Sequence, residues 1–131
     1  MAITVDASAI LAVMLNEKSK TAILEHTRGQ VLISPASIKW EIGNALSVLI
    51  KRKSISNEQA VVAARLFGKM SIRQPEIGLP EAVSLAAQYK IYAYDAYVLC
   101  CALRFRTTIL SLDKALCKMA TDLGVQVLEV D

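Results

Sequence analysis

The sequence predicts an α/β domain of three layers, in which helices cover both faces of a mostly parallel sheet. Short apolar runs rich in β-branched residues alternate along the chain with segments whose apolar residues recur at helical spacing. The 131 residues, 54% of them hydrophobic, are enough to bury a substantial core. Repeats, linkers and low-complexity segments do not interrupt the sequence, so we expect residues 1–131 to form one domain.

The composition argues against a membrane protein, although the mean hydropathy is +0.41. The longest apolar run, residues 96–103, is too short to span a bilayer, and the first residues lack the basic region of a signal peptide. The cysteines are three in number and Cys100 adjoins Cys101, which indicates free thiols in a reducing compartment. We therefore expect a cytoplasmic protein whose excess apolar surface covers another protein chain.

The strands are predicted from short runs of apolar, mostly β-branched residues. One of these runs is interrupted by Pro75, so we expect an edge strand or a loop there. In chain order the candidate strands are residues 3–5, 30–33, 72–77, 107–112 and 125–128.

The helices are predicted from apolar residues at helical spacing and from their end signals. Ser34 and Pro35 fit the N-cap and the first helical position of the third helix, and the cations at 51–53 suit its C-terminal end. Residues 56–59 form a capping box that opens the fourth helix. A one-residue corner at Asp6 precedes the first candidate helix, which runs to Leu15. The other candidate helices span residues 21–26, 34–53, 56–70, 80–89, 91–103 and 114–123.

Four acidic residues are predicted to meet at one edge of the sheet. Asp6 and Asp113 directly follow two of the strands, and the carboxyl ends of parallel strands are where ligands bind in such folds. Asp95 is the only charge in the most apolar helix, and Glu41 projects along the edge of the core face of its own helix. The simplest alternative for Asp6 is a helix cap, a role that Ser8 could also take.

A cluster of four carboxylates predicts a cation, because the acids otherwise repel one another. Oxygen ligands alone select a hard ion such as Mg²⁺ or Mn²⁺. Such a site can activate water and stabilise an in-line displacement at phosphorus, so we expect phosphodiester hydrolysis. A small phosphatase fits less well, because the segment that begins at Asp6 lacks the second aspartate of the Asp-x-Asp motif.

The acidic segments also resemble a known family. The order and spacing of the four segments resemble those of the PIN-domain ribonucleases. Within that family, the chain resembles the VapC-type toxins of prokaryotic toxin–antitoxin pairs. The resemblance covers nearly the whole chain and implies a single PIN-like nuclease domain. The segments that carry it are residues 5–8 (Val-Asp-Ala-Ser), 40–46 (Trp-Glu-Ile-Gly-Asn-Ala-Leu), 94–97 (Tyr-Asp-Ala-Tyr) and 111–113 (Ser-Leu-Asp).

The resemblance implies a role for each of these polar residues. Asp6 and Asp95 would be the principal metal ligands, and Glu41 and Asp113 would complete the acidic site directly or through water. The supporting polar groups would be Ser8, Asn44 and Ser111.

The family's reaction is Mg²⁺- or Mn²⁺-dependent endonucleolytic cleavage of RNA, which leaves a 5′-phosphate and a 3′-hydroxyl. The resemblance also implies a homodimer and a small antitoxin whose C-terminal segment lies across the site. Arg106 and Lys114 flank the predicted sheet edge, which makes them candidates for binding the RNA backbone.

Two other functions remain open for a chain of this pattern. The first is a PIN nuclease of RNA processing or decay that has no antitoxin. The second is a PIN-like binding module that has lost catalysis, and the presence of all four acids argues against it.

Overall fold

The computed structural model describes residues 1–130, and its strands and helices follow the predicted order, with two helices after each of the first three strands. The strands are β1 (Ala2–Val5), β2 (Val31–Ile33), β3 (Ile72–Arg73), β4 (Thr108–Leu110) and β5 (Val127–Leu128). The helices are α1 (Ala7–Met14), α2 (Lys20–Thr27), α3 (Ile38–Lys51), α4 (Asn57–Lys69), α5 (Leu79–Tyr89), α6 (Ala93–Phe105) and α7 (Lys114–Asp122).

The five strands form one sheet in the order β3-β2-β1-β4-β5, and every neighbouring pair is parallel. Ile3 of β1 is paired with Leu32 of β2 on one side and with Thr108 of β4 on the other. The chain leaves β1 towards one edge of the sheet and later returns to its other side. The carboxyl end of β1 is therefore the point where ligands bind in open α/β sheets.

The helices divide between the two faces of the sheet, which confirms the predicted three-layer architecture. Ile3 and Val5 of β1 pack into a core with α1, α2, α3 and α4. Ile109 of β4 faces the opposite way and packs against α6 and α7, and Leu85 of α5 packs beside it. The alternation of side chains along each strand thus builds an apolar core on each face of the sheet.

The third helix begins later than the sequence predicts. Ser34 and Pro35 do not open it, because Ser34 donates its hydroxyl to the Val5 carbonyl at 2.8 Å and its N–H to the Arg73 carbonyl at 2.9 Å. These bonds tie together the ends of three strands. A turn closed by the Ile38 N–H on the Pro35 carbonyl follows, and α3 starts at Ile38.

The apolar helix α6 is buried over its middle, as predicted, but its first turn is open to solvent. Leu99 and Cys101 are fully buried, whereas Tyr92, the residue before the helix, is 86% exposed. The three cysteines are free. Within residues 1–130, none of the helices is both long and apolar enough to cross a membrane.

A hydroxyl pair lies buried beneath this helix. Thr4 Oγ1 and Thr107 Oγ1 are 2.6 Å apart, and both residues are buried. The pair joins β1 to the residue that enters β4, two segments that are distant in sequence. Its hydrogen bond therefore holds together the two strands that carry Asp6 and Asp113 at their ends.

We expect Thr4→Val and Thr107→Val each to lower the free energy of unfolding by about 1–3 kcal/mol, because each leaves the other hydroxyl buried without its partner. The double variant should lose less than the sum of the two single losses. Urea denaturation of the four proteins measures this coupling. Strictly additive losses would contradict it.

Candidate functional site

All four predicted acids lie at the carboxyl edge of the sheet, each at the N-terminal end of a helix. Asp6 and Asp113 are the N-cap residues of α1 and α7, and Glu41 and Asp95 lie in the first turns of α3 and α6. These helix ends carry partial positive charge, which favours carboxylates there.

Asp6 is buried, and both of its carboxylate oxygens accept hydrogen bonds. Oδ1 accepts from the Ala9 N–H at 3.1 Å and from the Ser8 hydroxyl at 2.7 Å, so the N-cap interpretation is confirmed. Oδ2 accepts from the Ser111 hydroxyl at 2.5 Å. Burial raises the pKa of Asp6 above its ordinary value of 3.8, and the hydrogen bonds oppose that rise. The charge of Asp113 raises it further.

Two serine hydroxyls fasten Asp6 to the segment that follows β4. Ser8 Oγ accepts from the Leu112 N–H at 2.8 Å, and Ser111 Oγ accepts from the Asp113 N–H at 3.0 Å. The two hydroxyl oxygens are 3.2 Å apart. Because each serine bonds both a carboxylate and a backbone N–H, the pair fixes the Asp6 side chain relative to the start of α7.

Asp113 is exposed, and one of its carboxylate oxygens caps the N-terminal end of α7. Oδ1 accepts from the N–H groups of Ala115 and Leu116, at 3.0 and 3.2 Å. Lys114 is exposed beside it as the first residue of α7. The predicted placement of Lys114 at this edge is therefore consistent with the fold.

Glu41 is half-buried, and its Oε1 atom is buried without a hydrogen-bond partner. Burial raises the pKa of Glu41 from 4.5 to about 7. Negative charges nearby raise it too, and they come from Asp6, Asp95 and Asp113. The predicted supporting residue Asn44 is exposed on the same helix.

Asp95 is half-buried at the open first turn of α6. Burial raises its pKa above 3.8, and the charges of Asp113 and Asp6 raise it further. The acids thus act on one another's ionisation, so the structure brings the four together in one electrostatic environment. All the charges that raise the pKa values of Asp6, Glu41 and Asp95 belong to other carboxylates.

The donor set of this edge fits a hard divalent cation. As the side chains stand, no three Asp, Glu, His or Cys residues within the described part of the chain lie close enough to hold one ion between them. The oxygens are nevertheless the ligands that Mg²⁺ and Mn²⁺ prefer, and Glu41 Oε1 is a buried acceptor without a donor. A bound cation would relieve the repulsion that raises the acids' pKa values.

The placement of Arg106 at this edge was wrong. Arg106 is the C-cap residue of α6 and precedes β4, so it lies at the amino end of the strand whose carboxyl end leads to Asp113. It lines a cavity there with Met1 and Thr108. The whole length of β4 therefore separates Arg106 from Asp113.

One polar group of the site was not predicted. Ser37 Oγ is buried without a hydrogen-bond partner, like Glu41 Oε1. Ser37 lies one helical turn before Glu41, and this spacing is the signal in the sequence that could have found it.

The raised pKa of Glu41 predicts how stability depends on pH in EDTA. An acid whose pKa is raised by folding keeps its proton in the native state while the unfolded chain loses it, so stability falls as pH rises from about 4.5 to about 7. We expect Glu41→Gln to flatten this fall in urea midpoints, and Glu25→Gln, a change at an exposed position on α2, to leave it as in the wild type. Equal slopes for Glu41→Gln and the wild type would contradict the expectation.

Several solved structures share this fold. PAE2754 of Pyrobaculum aerophilum is 17% identical, over 97% of this chain and 83% of its own, with a TM-score of 0.71. VapBC2 of Rickettsia felis, solved with a DNA fragment from their promoter, is 13% identical over 100% of both chains, with a TM-score of 0.70. VapC20 of Mycobacterium tuberculosis, a sarcin–ricin loop cleaving toxin, is 15% identical over 89% of this chain and 94% of its own, with a TM-score of 0.65.

Comparison with family models identifies the family of this chain. A search of curated protein sequences finds no match. The family model for the PIN domain, however, matches residues 3–122, which is nearly the whole chain and includes all four acids. The resemblance predicted from the sequence is therefore confirmed, and the chain belongs to the PIN domain family.

Proposed function

We propose that this chain is a metal-dependent endoribonuclease, formed by a single PIN-like domain over residues 1–131, and that it is the toxin of a type II toxin–antitoxin pair. The observation that carries the proposal is the state of Glu41. Its half-buried carboxyl group has a raised pKa, and the charges that contribute to the rise are those of three other acids. A divalent cation is the ligand that such a group of oxygens lacks.

In this proposal Asp6 and Asp95 are the principal ligands of Mg²⁺ or Mn²⁺, and Glu41 and Asp113 complete the acidic site. When bound, the ion supplies a lowered pKa for water and stabilises charge on the phosphoryl oxygens. The polar groups that support these acids are Ser8, Asn44 and Ser111.

The chain's own residues orient the site and the substrate. The serine hydroxyls on Asp6 restrict its carboxylate to one orientation, so less ordering remains when a ligand binds. The N-terminal ends of α1 and α7 place partial positive charge behind the Asp6 and Asp113 carboxylates that cap them. Lys114, exposed at the start of α7, is the candidate for contact with an RNA phosphate.

The partners follow from the same proposal. The neighbours named VapBC2 and VapC20 support a small antitoxin as the cognate partner and RNA as the substrate. Exposed apolar side chains, such as Trp40 at 63% exposure, support a homodimer. We propose the cytoplasm as the compartment and no membrane partner. A nuclease of RNA processing without an antitoxin is the alternative.

The first test is cleavage of a labelled pool of structured RNA with Mg²⁺, Mn²⁺ or EDTA. We expect cutting that needs the metal and falls by about 100-fold or more in Asp95→Asn, because the loss of a ligand charge removes several kcal/mol of stabilisation. The matched control is Asp122→Asn, an exposed aspartate on α7, which should cut like the wild type. Equal cutting by Asp95→Asn and the wild type would overturn the proposal.

A second test separates a toxin from a nuclease of RNA processing. Induced expression of the wild-type chain alone should stop the growth of a bacterial host, because free toxin cleaves RNA without restraint. Asp95→Asn should leave growth unchanged at the same protein level, as judged by immunoblot. Normal growth with active wild-type enzyme would favour the processing nuclease.

A further inference from the structure

We propose that Ser37 is a positioning residue of the acidic site. Its hydroxyl and Glu41 Oε1 share one bound water molecule, and that water holds the Glu41 carboxylate in the orientation in which it binds the cation. This inference rests on the proposed metal site, and the experiment below distinguishes its failure from failure of that site.

The backbone places the two residues on one face of α3. Ser37 precedes the helix with helical dihedral angles, φ −69° and ψ −10°. Its carbonyl accepts the N–H of Glu41 at 3.2 Å. Residues four apart and joined by this bond are neighbours on the helix surface, so the Ser37 hydroxyl and the Glu41 carboxylate stand one turn apart at the carboxyl edge of the sheet.

The side chain of Ser37 does not do what a serine at this position ordinarily does. An N-cap serine usually accepts a hydrogen bond from an N–H in the first turn, and Ser56 at the start of α4 does so from Gln59. Ser37 makes no such capping bond. Its hydroxyl is therefore free for another partner.

Two buried side-chain oxygens at the start of α3 lack a hydrogen-bond partner. Within residues 1–130, the buried side-chain oxygens that lack a hydrogen bond are Ser37 Oγ and Glu41 Oε1. Each such atom costs about 1–3 kcal/mol if nothing satisfies it. Ser37 and Glu41 belong to one turn at the start of α3, and in this proposal a single ligand lies between their oxygens.

Water has the chemistry that this pair of atoms needs. The carboxylate oxygen only accepts hydrogen bonds, whereas the serine hydroxyl donates one and accepts others. A water molecule donates to both oxygens and fills a buried polar site with at least two partners. Groups that fix a metal ligand in this way are worth about 10–100-fold in metal affinity.

The test is Mn²⁺ affinity, measured by electron paramagnetic resonance of free Mn²⁺, together with urea denaturation in EDTA. We expect Ser37→Ala to weaken Mn²⁺ binding about 10-fold and Ser37→Thr, which keeps the hydroxyl, to stay within about twofold of the wild type. Ser47→Ala, which removes an exposed hydroxyl from the same helix, is the matched control and should bind Mn²⁺ like the wild type. In RNA cleavage, Ser37→Ala should lower kcat more than it changes KM.

The unfolding midpoint separates a positioning role from a structural one. Because the Ser37 hydroxyl bonds the protein only through the shared water, metal-free Ser37→Ala should unfold at nearly the same urea concentration as the wild type, whereas a structural role would lower its midpoint clearly. Unchanged Mn²⁺ affinity in Ser37→Ala, while Glu41→Gln binds more weakly, would overturn this inference alone. Absence of Mn²⁺ binding by the wild type would overturn the proposed metal site and this inference together.

Discussion

The burial of acidic side chains close to one another is the constraint on which the carboxyl edge of the sheet depends. The fold places Asp6, Glu41, Asp95 and Asp113 at one edge of the sheet, where burial and mutual charge raise the pKa of the first three. Four helix N-termini and two serine hydroxyls compensate part of this cost. A group of acids with raised pKa values in one place is typical of a functional site.

The order of strands and helices could be predicted because each strand that leads to an acid is a short β-branched run followed by a helix signal. Asp6 and Asp113 were placed by this local pattern alone. Asp95 was placed as the single charge of an apolar helix, although the open first turn of α6 depends on packing that periodicity does not describe.

Local sequence signals gave wrong predictions for two polar residues, Ser34 and Arg106. Ser34 reads as a helix cap, but tertiary structure offers its hydroxyl the Val5 carbonyl instead. Arg106 reads as a neighbour of the acids, but β4 carries the chain across the sheet between them. The spacing of Ser37 from Glu41 indicates a shared helix face, but its unsatisfied hydroxyl is visible only when the surrounding atoms are known.

The central position of β1 in the sheet has a consequence for folding during synthesis. β1 pairs with β4, so Ile3 meets Thr108 only after the intervening residues 4–107 have been synthesised. Ser8 and Ser111, which fasten Asp6, are likewise 103 residues apart. A nascent chain still attached to the ribosome before β4 emerges holds only part of the acidic cluster. The acidic site therefore assembles only after β4 and the start of α7 have left the ribosome.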